Sequence, residues 1–129
     1  MTYEQADQAR GFVAERLPAA PAVGVVLGSG LEGFAAELSD RVEIPYSDIP
    51  HWPRSTVTGH SGRLAAGRLG AKTVAVLAGR VHLYEGYSAA QAAFPVRVLG
   101  LLGVRTLVLT NAAGAIHSNF RAGDRKSVV

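Results

Sequence analysis

Apolar positions along this chain switch between helical spacing and short continuous runs, and the switches mark its elements. Thr2 with Gln5 has the spacing of a capping box, and Phe12, Val13 and Leu17 continue a helix that Pro18 ends. Pro21 opens a short apolar strand over residues 22–27, which runs into Gly28-Ser29-Gly30. Helical spacing returns over residues 31–38, with Leu31, Phe34, Ala35 and Leu38 on one face. Residues 41–44 read as a strand, and residues 45–54, carrying Pro45, Pro50 and Pro53, as a loop. Arg63–Leu69 and Lys72–Ala78 flank Gly70-Ala71, the pattern of a two-residue hairpin. Ser88 with Gln91 repeats the capping box and opens a helix to Leu102, bent at Pro95 and ended by Gly103. Residues 106–110 then form an apolar, β-branched strand. Strands and helices alternate, and the strands read as buried on both faces. The expected class is α/β, with a mixed, mostly buried sheet flanked by helices.

Composition narrows this little. At 129 residues, 48% hydrophobic and 18% charged, the chain is in the range of one globular domain and shows no repeat or low-complexity tract. A net charge of +3, with no basic run longer than Arg125-Lys126, suits small anions and is too weak to argue for nucleic acid. The absence of cysteine excludes disulfides, zinc–thiolate sites and thiol catalysis. Charges at Glu4, Asp7, Arg10, Glu15 and Arg16 leave no apolar core for a signal peptide, and Arg97 and Arg105 interrupt the most apolar stretch. A cytoplasmic location without membrane association is expected.

The chemistry concentrates in four loops, each beside an apolar segment. Gly79-Arg80-Val81-His82-Leu83-Tyr84-Glu85-Gly86-Tyr87 places a guanidinium, an imidazole, a phenol and a carboxylate at the end of a buried strand. Arg80 there needs an anionic partner or a solvent-facing cleft, and His82 and Tyr84 share its side if the chain stays extended. The plain alternative is an exposed turn with an Arg80–Glu85 ion pair. Gly28-Ser29-Gly30, between a strand and a helix, is either a phosphate cradle of backbone N–H groups and a hydroxyl or an ordinary tight turn. It has neither the lysine of a P-loop nor the spacing of a dinucleotide fingerprint. His60, between Gly59 and Gly62, is by itself more typical of a surface residue than of a ligand. Asn111-Ala112-Ala113-Gly114 follows a strand, where α/β proteins bind ligands, and its small residues would let a flat ring lie on the backbone; an ordinary turn explains it equally. Together the loops suit an anion and a sugar.

Taken in order and spacing, these loops resemble the trimeric, inosine- and guanosine-cleaving type of purine nucleoside phosphorylase. The resemblance runs from Val25-Val26-Leu27-Gly28-Ser29-Gly30-Leu31 through Gly59-His60-Ser61-Gly62-Arg63-Leu64 and the Arg80-to-Tyr87 element to Leu109-Thr110-Asn111-Ala112-Ala113-Gly114. Methylthioadenosine phosphorylases, with a different, histidine-rich version of the Arg80 element, rank second. A catalytically silent phosphate- or nucleoside-binding module is a third reading. The resemblance implies reversible phosphorolysis of purine ribonucleosides or deoxyribonucleosides to free purine and pentose 1-phosphate. It implies phosphate held by Ser29, His60, Arg80, His82 and the backbone N–H of Ala112. Tyr84 would contact ribose, Glu85 would orient His82, and Ala112, Ala113 and Gly114 would line the purine. Inorganic phosphate would be a co-substrate, with no cofactor or metal, and the full-length form a homotrimer.

The resemblance also implies that residues 1–123 are the N-terminal part of a single phosphorylase domain. The catalytic, base-activating groups would then lie beyond Val129, and the 129-residue chain would be inactive alone. A half-domain would leave sheet edges and apolar faces uncovered. Residues 124–129 are expected to be a non-native tail, from a frameshift or from sequencing-adapter DNA, whose opening triplets can encode Asp124-Arg125-Lys126-Ser127-Val128-Val129.

Overall fold

Helix α1 (Tyr3–Ala14) begins at the predicted cap, in a computed structural model that describes residues 1–55 and 62–125. Thr2 Oγ1 accepts from the Gln5 backbone at 3.2 Å, and Gln5 Oε1 accepts from the Thr2 backbone at 2.9 Å. The helix stops short of Pro18. Arg16 and Leu17 donate to carbonyls only three residues back, so the last turn tightens and unwinds before the proline is reached.

A five-stranded sheet follows: β1 (Val23–Leu27), β2 (Ser39–Pro45), β3 (Arg63–Leu69), β4 (Lys72–Ala78) and β5 (Thr106–Leu109), in the order β2-β3-β4-β1-β5. β3 pairs antiparallel with β2 and β4, whereas β1 runs parallel to both β4 and β5. Leu69 faces Lys72 across the expected hairpin, and Gly70 takes φ 60° at the first turn position, the positive-φ conformation that hairpin turns matching strand twist require. Helix α2 (Ala89–Leu101), capped reciprocally by Ser88 and Gln91, continues through Pro95.

Alternation along the central strands supplies a core on each side. Val26, Leu64, Ala66, Ala75 and Leu77 point to α1 and α2, where Ala9, Val13, Phe94, Val98 and Leu99 meet them. Val25, Leu27, Ala65, Val74 and Val76 point the other way, toward Ala35 and Leu38. Full burial of a side chain such as Phe94 or Leu64 stabilises the fold by about 1.5–3 kcal/mol.

The structure departs from the sequence reading in places with physical causes. Residues 31–38 do not form an α-helix; a 3₁₀ helix spans Glu32–Glu37, because so short a segment with Gly30 and Gly33 at its start does not sustain α-helical nucleation. β5 is not buried: Leu107, Val108 and Leu109 are 37%, 42% and 66% exposed. It is an edge strand, paired with β1 alone among the described residues.

Candidate functional site

Parallel pairing of β4, β1 and β5 brings their carboxyl ends to one edge of the sheet, so the loops after Leu27, Ala78 and Leu109 converge although they are distant in sequence. Gly28 and Asn111 touch there. A Cβ on Gly28 would lie 2.8 Å from Asn111 Cα and 3.0 Å from the Thr110 carbonyl oxygen, so only glycine lets the two backbones meet.

Thr110 connects the loops. Its hydroxyl accepts from the Gly28 N–H at 2.8 Å and donates to the Val26 carbonyl at 2.8 Å. Its own carbonyl accepts from Arg80 Nη1 at 2.7 Å. One guanidinium nitrogen is thereby anchored, and the remaining N–H donors of Arg80 stay directed by that anchor. The expected alternative, an Arg80–Glu85 ion pair, is not formed. Glu85 instead accepts through Oε2 from the His82 backbone at 2.6 Å and meets His82 Nδ1 at 3.1 Å, while its Oε1 accepts from Ser55 at 3.0 Å. With only 2% of its side chain exposed, Glu85 holds the imidazole from behind. A ring that donates from Nδ1 presents Nε2 to a ligand as an acceptor, or as a second donor once protonated.

The chain does not stay extended after His82, because Leu83–Glu85 forms a 3₁₀ turn. Tyr84 nevertheless returns over His82, with the rings stacked at 4.8 Å and 15° between planes. Ser29, Arg80, His82 and Tyr84 line one cavity of about 150 Å³, together with Tyr46 and Glu32. Tyr84, 79% exposed, is at its mouth. Beneath, buried Tyr46 donates from its hydroxyl to the Gly79 carbonyl at 2.7 Å, and burial pushes its phenol well above the ordinary value.

The structure thus brings Ser29, Arg80, His82 and Tyr84 together, with Glu85 directly behind. Ala112, Ala113 and Gly114 follow Thr110 as an exposed, irregular segment and do not line this cavity. His60 lies outside the described residues. Sequence reasoning put Thr110 at the head of the fourth loop without giving it a role, and missed Tyr46 and Ser55. The only local hint was a hydroxyl ending an apolar run at Thr110; the partners of all three are remote in sequence. Among the described residues no group of His, Asp or Glu is placed to hold a metal ion, and no helix is long and apolar enough to cross a membrane.

A family model described as the phosphorylase superfamily matches residues 22–125. Purine nucleoside phosphorylase 1 of Geobacillus stearothermophilus is 50% identical over 118 residues, covering 92% of this chain and 43% of that protein. The purine nucleoside phosphorylase of Mus musculus is 46% identical over 123 residues, covering 95% and 43% respectively. Isoform 2 of purine nucleoside phosphorylase from Schistosoma mansoni, solved in complex with cytosine and ribose-1-phosphate, superposes with a TM-score of 0.88 at 41% identity. That match covers 95% of this chain and 43% of the solved one. The chain therefore spans less than half the length of the relatives it matches.

Proposed function

The chain belongs to the phosphorylase superfamily, and we propose that residues 1–123 are the N-terminal part of an enzyme that phosphorolyses purine ribonucleosides or deoxyribonucleosides. The products are free purine and pentose 1-phosphate. The observation that carries this reading is the cavity shared by Ser29, Arg80 and His82, with His82 held by buried Glu85.

In this reading phosphate lies against the Arg80 guanidinium, the Ser29 hydroxyl and His82 Nε2, joined by His60; the Ala112 N–H, which the resemblance also assigns to phosphate, lies outside the lining of this cavity. Tyr84 contacts the ribose, and Ala112, Ala113 and Gly114 lie along the purine. The glycosidic C–N bond breaks as its electron pair leaves with the purine, and the sugar acquires oxocarbenium character. A phosphate oxygen beneath the sugar stabilises that cation and then forms the new C–O bond. Positioning and fixed charge supply most of the acceleration, so the reaction needs phosphate as co-substrate and no cofactor. Groups that bind the purine and assist its departure come from the rest of the full-length enzyme, which assembles as a homotrimer.

The test uses the full-length enzyme with inosine. Hypoxanthine release that requires inorganic phosphate and yields ribose 1-phosphate is expected. Release at the same rate without phosphate, or preferential cleavage of methylthioadenosine, overturns the reading.

A further inference from the structure

We propose that Thr110 is a positioning residue that ties the Gly28-Ser29-Gly30 loop to Arg80, so that both halves of the anion site hold one spacing; this rests on the phosphate-binding reading above. The parallel ladder between β1 and β5 ends at Val26 and Leu109. Past that point the backbones no longer pair in register, and the Thr110 hydroxyl continues the connection. It accepts from the Gly28 N–H, donates a hydrogen bond to the Val26 carbonyl, and so spans both sides of the turn into Ser29. The Val26 carbonyl also accepts from the Thr110 backbone at 3.1 Å, which fixes Thr110 itself.

The other end of the residue holds Arg80. With Nη1 on the Thr110 carbonyl, one nitrogen of the guanidinium is held by the same residue that holds the Gly28 N–H. Ser29 and Arg80 lie in loops that follow different strands, β1 and β4, and make no hydrogen bond to each other among the described residues. Thr110 is the shared support that relates them. Neither contact places Thr110 against the anion, since Thr110 is absent from the lining of the cavity that holds Ser29 and His82.

In the full-length enzyme, Thr110→Val keeps the side-chain shape and removes the hydroxyl, leaving the Gly28 N–H without its partner, whereas Thr110→Ser keeps the hydroxyl. T110V is expected to raise the phosphate KM about tenfold with the inosine KM within about twofold, and T110S to stay within about threefold of the parent. Amide hydrogen exchange in the segment holding Gly28 and Ser29 is expected to speed up in T110V and not in T110S. An unchanged phosphate KM in T110V, an equal defect in T110S, or parallel rises in both KM values overturns the proposal. If the parent cleaves inosine without phosphate, the functional reading fails. The tie is then judged by exchange alone: faster exchange at Gly28 in T110V supports it, and unchanged exchange overturns it.

Discussion

Removing one oxygen atom from Tyr46 tests how the floor of the site is held. Tyr46→Phe keeps the ring, which is 7% exposed and lies 5.2 Å from the Trp52 ring, and deletes only the hydroxyl that donates to the Gly79 carbonyl at 2.7 Å. Losing a buried neutral hydrogen bond and leaving that carbonyl without its donor costs about 1–2 kcal/mol at neutral pH. The deficit should depend on pH with a definite sign. Burial raises the folded-state pKa of Tyr46, so above about pH 10, the ordinary phenol value, the unfolded chain loses a proton that the folded chain keeps. Stability from this group is therefore complete below that value and falls as pH rises, by up to about 1.4 kcal/mol per pH unit. A phenylalanine ring at this position cannot ionise in either state, so the variant lacks this loss. Starting about 1.4 kcal/mol below the parent, it should draw level near about pH 11. Urea unfolding read by fluorescence of Trp52, the chain's one tryptophan, measures both proteins across the range. A Y46F deficit that stays constant from pH 7 to about pH 11 would refute the coupling between burial and ionisation.

Gly62→Ala would place a Cβ at 2.2 and 2.3 Å from Cδ2 and Cε2 of Tyr46, so the ring must move; a loss of about 1–3 kcal/mol in urea stability is expected, and an unchanged midpoint would contradict the packing. Ser88→Ala removes the acceptor of the Gln91 N–H at the start of α2 and should cost about 1 kcal/mol by the same assay, against no change if the cap is idle. Arg80→Lys, in the full-length enzyme, replaces a fork anchored on Thr110 by a single ammonium; the phosphate KM should rise about 10- to 100-fold, and an unaltered value would remove Arg80 from the anion site.

What could be read in advance follows from the range of each interaction. Thr2 with Gln5 and Ser88 with Gln91 act across three residues, so spacing alone carries their signal, whereas the support of His82 by Glu85, equally local, is implied only by the family resemblance. The Gly70-Ala71 turn is equally local, and its strands bear out the reading. The 31–38 segment shows the limit of periodicity: its apolar spacing is helical, but the segment is too short, with Gly30 and Gly33 at its start, for an α-helix. β5 misleads for another reason. Thr106-Leu107-Val108-Leu109 looks like a buried strand whatever covers it, and burial depends on neighbours that no local window contains. Thr110 and Tyr46 are illegible because their partners, Gly28 and Gly79, become neighbours only when the sheet closes.

The strand order also bears on how the polypeptide folds as it leaves the ribosome. β1 is made early yet pairs with β4 and β5, so Val23 waits for Val74 and then for Thr106. At about 5–20 residues per second, the first wait lasts roughly 3 to 10 seconds. Throughout it Val23-Gly24-Val25-Val26-Leu27, an apolar five-residue segment, is a nascent strand without a partner, while the β3–β4 hairpin is still being synthesised. Slow codons between β2 and β4 would lengthen that interval, so translation speed there bears directly on the yield of folded protein.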